Sequence, residues 1–446
     1  MYNKLSNAVF SVKESIYMQN ALNIFVVFMI LVVILGIINE RFTHLTYEIS
    51  LMLFSMIVGV IGLLIEVFTP SAPMTNLIGT IRSFNLETFL MNGVLCFMLF
   101  SGSCHLKLHD FKEQARAVTV LSIVATFLGA VFYGALFYGA SCLLGLGFSI
   151  PVCLMFGSIV APTDPIAATS ILNKFGLPKK ISFLIEGESL LNDGVGVALF
   201  VCFSGMVKAG SSNENFFLVM GRELFGAIAV GVVISLVCYP IFAKTKDASR
   251  KVFTSLLAVS ASYLICENLD FSGAIASVVC GLLFSFFRDK VEATSDMEEI
   301  KKYDNFWEIL DSLLNSILYV VLGLSFVFIL QMPQMVIISL IAIVANLLAR
   351  GGSVGVCTFL MGKIPDGYNR RGFTVLLTWG GLRGGLCLAL AMSTANMVDF
   401  RTYHIILGAT CAIVFFTTIV QGLTMKKVYR QIEKHLPENA ARQAAS

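Results

Sequence analysis

Charge is scarce in this chain. Asp, Glu, Lys and Arg make up 13% of its 446 residues, against about 25% in a soluble domain. Polar stretches long enough to form a separate soluble domain are also missing, so water is not the main solvent of the fold. The 11 cysteines contain no CxxC pair, which indicates neither a zinc site nor a disulfide framework and leaves them as reduced core residues. No HExxH and no glycine-rich nucleotide loop occurs, which removes two common enzyme signatures. A net charge of +3 is too small to suggest nucleic acid.

Apolar runs dominate instead. Apolar residues make up 57% of the chain, and stretches of the roughly 20 residues needed to cross a bilayer recur from Leu22 almost to Lys426. They predict spans near 22–39, 47–68, 86–104, 117–146, 151–172, 181–207, 216–242, 252–269, 271–287, 306–330, 335–361, 373–396 and 403–424. The expected fold class is an all-α polytopic membrane protein of about thirteen transmembrane helices, a single membrane unit over 1–424 with a short basic tail at 425–446. The first segment lacks a small-residue cleavage site and reads as a retained span.

Alternate loops differ sharply in positive charge. One side carries 23 Lys and Arg and the other 6, while Arg350 and Arg383 fall within spans. By the positive-inside rule this bias puts the tail in the cytoplasm and the N-terminus outside, in an inner-membrane orientation. The longest hydrophilic loop, 288–304, mixes signs and reads as a solvated connector.

Two spans are interrupted. Span five carries Pro162 and Pro165 deep inside it. Each lacks an amide proton and clashes with the carbonyl four residues back, so the helix is expected to break near Thr163, with Asp164 in the break. Span twelve has Gly380, Gly381, Gly384 and Gly385 around Arg383. Irregular backbone at this depth is tolerated only where it lines a cavity or is buried in protein. Two such spans seven apart enter the membrane in opposite directions, the arrangement that two inverted six-helix repeats joined by a seventh helix produce.

Span six places Glu186, Glu188 and Asp193 in or near the hydrocarbon, where an ionisable group is by default a functional candidate. At about 100° per residue, Ser189 and Asp193 share a face and Glu188 lies about 140° from Asp193. Arg350 in span eleven is expected to neutralise Glu188, which leaves Asp193 without a permanent cation and able to accept either a proton or a sodium ion. Hard monovalent cations prefer oxygen ligands, and Asp193, Asp164, Ser189, the Asn192 amide and the Thr163 carbonyl can supply them. Glu186, near the cytoplasmic end, reads as solvated. Arg383 can offset carbonyl dipoles at the crossover. His105 and His109 are four apart and read as an interfacial pair, with a possible part in the pH response. A channel would share the polar interior but would not require a lone titratable carboxylate at a helix crossing.

These residues resemble the NhaP/NHE-type sodium/proton antiporters of the monovalent cation:proton antiporter superfamily. The matching words are APTDP at 161–165, EGESLLNDG at 186–194, LLAR at 347–350 and WGGLRGG at 379–385, with LFSGSCHLKL at 99–108 as a weaker match. The resemblance implies a homodimer in the lipid bilayer with no cofactor, nucleotide or nucleic acid. It also implies a mobile core of spans 4–6 and 11–13 that moves like an elevator against a scaffold of spans 1–3 and 7–10. It implies exchange of Na+ (or Li+ or K+) for H+, with Asp193 as the ion- and proton-binding carboxylate, Asp164 and Thr163 at the crossover with Pro162, Pro165, Gly381 and Gly384, and Ser189 lining the site. Asn192 goes with electroneutral exchange, and Glu188 with Arg350 forms a core ion pair. Some archaeal members carry an acid inside span three, whereas here Glu87 lies only at its entrance. The stretch after Gly422 is short beside the large cytoplasmic regulatory domains of animal exchangers.

Overall fold

The computed structural model describes residues 23, 25–68, 94–105, 108–164, 179–209, 216–292, 297–330, 333–362, 364 and 368–434. Its elements are helices: α1 (Phe25–Thr43), α2 (Tyr47–Phe68), α3 (Leu95–Cys104), α4 (108–144), α5 (Ile150–Val160), α6 (Lys179–Ala209), α7 (Phe216–Lys244), α8 (Ala248–Asn268), α9 (Gly273–Glu292), α10 (Met297–Leu330), α11 (Pro333–Leu360), α12 (Arg370–Trp379), α13 (Gly385–Met392) and α14 (Phe400–Glu433). Among the described residues, eight are long and apolar enough to cross a membrane.

Local sequence sets the ends. Asp247, Asn369 and Asp399 cap α8, α12 and α14 by accepting the amides of Ser249, Gly372 and Thr402, donors that a helix start otherwise leaves unsatisfied. Gly145, at φ 64°, closes α4 in the left-handed conformation that glycine adopts without steric cost. The outward faces are apolar: Leu340, Val344 and Leu348 recur at four-residue spacing on α11 with more than half of each side chain exposed, a stripe suited to lipid and not to water.

Inside, α10 lies along α2, α3 packs on α9, and α4, α5 and α6 form a layer against α11 and α14. The largest apolar cluster includes Phe156, Leu318, Leu388 and Ile413. A second is aromatic, with Phe100 4.4 Å from Trp307 between ring centroids, and Trp307 donating to Ser255 Oγ at 3.1 Å. Both interrupted spans end their helices where Pro and Gly dictate. α5 stops at Val160 ahead of Pro162, and the chain leaves helical geometry between Trp379 and Gly385. Pro165 lies outside the described residues.

Two expectations are corrected, and one motif is set aside by its setting. The 288–304 segment is mostly helix, because α9 runs to Glu292 and α10 begins at Met297; Arg288 is buried, with Asp289 and Asp304 within 3.4 Å. Cys142 is exposed at the end of α4 and Cys202 is half-buried, so the free thiols are not all core residues. The letters GGSVG at 351–355 spell G-x-S-x-G, but they sit inside α11 with Ser353 buried and donating to Arg350 O. A nucleophile elbow needs a strand-to-helix turn.

Gly157 of α5 permits closest approach to α4, since a Cβ there would collide with the carbonyl of Ala130, whereas a Cβ at Gly139 of α4 meets nothing within 4 Å. Gly157→Ala is therefore expected to destabilise by about 1–3 kcal/mol through overpacking, while Gly139→Ala leaves stability unchanged or slightly raised. Thermal melting of the two detergent-solubilised variants checks this; equal midpoints would contradict the packing described.

Candidate ion-binding cavity

The two breaks meet. Asp164 N donates to Leu382 O at 2.8 Å, and Gly384 approaches Asp164 so closely that a Cβ would strike its carboxylate. The carbonyls released by the break in span five find a donor in the other break: Arg383 Nη1 donates to Ala161 O and, at 2.8 Å, to Pro162 O, and Nη2 donates to Asn346 Oδ1 at 3.1 Å. The backbone of Arg383 is held by α14, where a π-helical stretch, Phe416–Gln421, lets Thr417 Oγ1 accept from its amide and Thr418 Oγ1 donate to its carbonyl. Such bulges inside α-helices often mark functional positions.

Beneath the crossing lies a cavity of about 490 Å³. Thr163, Asp164 and Asp193 reach it together with Pro162 and Gly384. Six carboxylates line it, those of Glu48, Asp164, Glu186, Asp193, Glu308 and Asp311, and no Lys or Arg does among the described residues. A low-dielectric cleft lined by one sign of charge concentrates counter-ions. Asp193 has no ion-pair partner among the described residues and is half-buried on the cavity wall.

Ser189 and Asn192 occupy a different layer from the one their residue types suggest. Both are buried and neither lines the cavity. Asn192 Oδ1 accepts from Thr163 N at 3.2 Å, Asn192 Nδ2 donates to Thr163 Oγ1 at 2.7 Å, and Ser189 Oγ lies 2.8 Å from the same hydroxyl. α6 thus holds the extended strand of the crossover from behind, a task that two neutral side chains one turn apart can share. On another face of α6, Glu188 Oε1 is 2.6 Å from Arg350 Nη1, and Arg350 Nη2 donates to Leu377 O at 3.2 Å. Gly381 lies against this guanidinium, where a Cβ would come within 2.7 Å of Arg350 Nε. Glu186, read as solvated, is half-buried and lines the cavity. His105 lies on that wall as well, while the side chain of His109 and all of Glu87 fall outside the described residues.

Reading the sequence missed the contribution of α10. Its Glu308, Asp311, Asn315 and Tyr319 line the cavity, and the Tyr319 hydroxyl donates to Asp164 Oδ2. The signal was available, since Asp311 is an acid inside an apolar run and the spacing 308, 311, 315, 319 marks one helical face.

Residues 25–431 match the family model described as "Sodium/hydrogen exchanger, transmembrane". The chain belongs to this family. Sodium/hydrogen exchangers similar to it include the Na(+)/H(+) antiporter NhaP of Pseudomonas aeruginosa, 28% identical over 92% of this chain and 97% of the relative. The Na(+)/H(+) antiporter NhaH of Halobacillus aidingensis is 30% identical over 78% and 84%. Among solved structures, the sodium proton antiporter MjNhaP1 of Methanocaldococcus jannaschii superposes with a TM-score of 0.72 over 93% of this chain and 99% of that one. At 16% identity the superposition establishes the fold alone. Membership makes this an integral membrane transporter and not an enzyme.

Glu188 and Arg350 are 2% and 5% exposed in their side chains, so neither charge has water to fall back on. Glu188→Ala is expected to strand Arg350 and cost about 3–5 kcal/mol, and the double replacement Glu188→Leu with Arg350→Met to recover much of it. Melting curves of the single and double variants read the difference; a single variant that melts like wild type would mean the pair carries no such constraint.

Proposed function

We propose that this exchanger trades Na+ for H+ at Asp193, one passenger at a time and without net charge movement. The reading is carried by one observation: a carboxylate with no fixed counter-ion among the described residues, on the wall of a cavity lined by acids. Na+ and a proton cannot both neutralise it. Loading either leaves the site with the same charge, because Asn192 beside it is an amide engaged with Thr163 and stays neutral throughout. Asp164 and Thr163 complete the oxygen environment from the crossover. The fixed cation Arg383 serves backbone carbonyls and keeps the broken strand in place.

Alternating access follows as an elevator motion of α4–α6 and α11–α14 against α1–α3 and α7–α10. Support comes from the two-sided lining of the cavity: Asp164 and Asp193 belong to one set of helices, Glu48, Asp311 and Tyr319 to the other. In this reading the protein is a homodimer of an inner membrane with the N-terminus outside, and the acidic mouth of the cavity opens to the cytoplasm. Li+ and K+ are candidate substitutes for Na+.

Asp193→Asn removes the exchanging acid while conserving its shape. In proteoliposomes it is expected to lose Na+-driven proton flux, with melting unchanged, and wild-type flux is expected to be insensitive to clamping the membrane potential. Robust flux in the variant, or a wild-type rate that follows the voltage, would overturn the assignment or its stoichiometry.

A further inference from the structure

The cavity has a wall that the mechanism above does not use. Glu308, Asp311, Ser312, Asn315 and Tyr319 of α10 all face it. Their intervals of three, one, three and four residues keep them on one side of the helix. The stripe has a direction. Glu308 comes first along the helix, and Tyr319, fully buried about three turns on, donates its hydroxyl to Asp164. Between them sits Asp311. No ion pair engages it among the described residues, and Asn315, one turn on, donates Nδ2 to its Oδ2 at 3.0 Å. That bond fixes one carboxylate oxygen and orients the other, and it leaves the charge intact.

Facing helix α3 supplies Met98, Leu99 and Gly102 to the same space and no carboxylate. In an inverted-repeat fold, spans three and ten are repeat mates, seven apart like the two broken spans. The acid therefore stands on the second member of the pair. Coulomb attraction into the cavity cannot come from Asp193 once a proton occupies it. A carboxylate on the opposite wall remains available to draw the next cation inward.

We propose that Asp311, oriented by Asn315, is a cation-recruiting residue of this transporter: it holds the incoming Na+ on the α10 wall and passes it to Asp193. It sets the apparent affinity for Na+ and not the capacity of the carrier. This rests on the reading of Asp193 as the exchanging acid. The titratable groups that share the cavity with Asp311 are Glu48, Asp164, Glu186, Asp193 and His105 from other elements and Glu308 and Tyr319 from its own helix, so removing one charge weakens the focusing field without abolishing it.

The test is Na+-driven proton flux in proteoliposomes carrying the full chain, measured against Na+ concentration at several ionic strengths set with choline chloride. Asp311→Asn is expected to raise KM for Na+ about tenfold, the low end of what charge focusing in a cleft supplies, with maximal flux preserved and a weaker dependence on ionic strength. Asp311→Glu is expected to stay close to wild type. An unchanged KM, or flux lost at every Na+ concentration, overturns the proposal. Should Asp311→Asn not yield folded protein by melting, Asn315→Ala, which keeps the charge but frees its orientation, reads the same split: a raised KM with preserved maximal flux supports recruitment, and no change overturns it. Asp193→Asn measured alongside separates the two claims. Flux in Asp193→Asn defeats the exchanging-acid reading, whereas a silent Asp193→Asn with an unchanged KM in Asp311→Asn defeats only the role of Asp311.

Discussion

Breaking a helix inside an apolar slab strands backbone amides and carbonyls that no bulk water can reach, and each costs several kcal/mol if left unsatisfied. Here the two breaks satisfy each other. The amide of Asp164 uses the carbonyl of Leu382, and the guanidinium of Arg383 takes the carbonyls of Ala161 and Pro162. Each break depends on the other for hydrogen bonds, which makes the crossing tightly specified. Its small residues follow from that constraint: Gly384 admits the Asp164 carboxylate, and Gly196 of α6 admits the ring of Pro162.

The same economy governs charge. Three buried ionisable groups near the crossing are spoken for: Glu188 and Arg350 neutralise one another, and Arg383 faces carbonyl dipoles. Pairing these groups isolates Asp193 chemically. It points into a cavity from which every described Lys and Arg side chain is excluded, so a mobile cation or a proton can fill the role that an arginine plays elsewhere in the protein. Ser189 and Asn192 hold Thr163 from behind, which ties the crossover to α6.

Much of this was legible in the residues, for identifiable physical reasons. Proline inside an apolar run, four glycines around an arginine, and acids at non-equivalent helical angles are local signals, and helix periodicity converts them into faces. Those faces led to the broken spans, the pairing of residues 188 and 350, and the separate direction of residue 193. What was not legible depends on long-range packing. No pattern within span six says that the Ser189 and Asn192 side chains turn toward Thr163 and away from the cavity, because that choice is made by a strand 26 and 29 residues away. Tyr319 is 155 residues from Asp164, and the packing of α10 among its neighbouring helices brings its hydroxyl there. That Glu186 lines the same cavity as Asp193 is likewise set by packing and not by its place near a span end.

The proposed competition of Na+ and a proton for Asp193 can be addressed by equilibrium binding without any transport step. Calorimetric titration of Na+ into the purified protein, repeated in buffers of different ionisation enthalpy across a range of pH, yields both the affinity and the number of protons displaced. Simple competition at one carboxylate requires close to one proton released per Na+ bound wherever the acid is mainly protonated, with the apparent Kd rising about tenfold for each unit fall in pH there. Sodium binding that releases no proton, with an affinity flat across pH, would contradict the account at its centre.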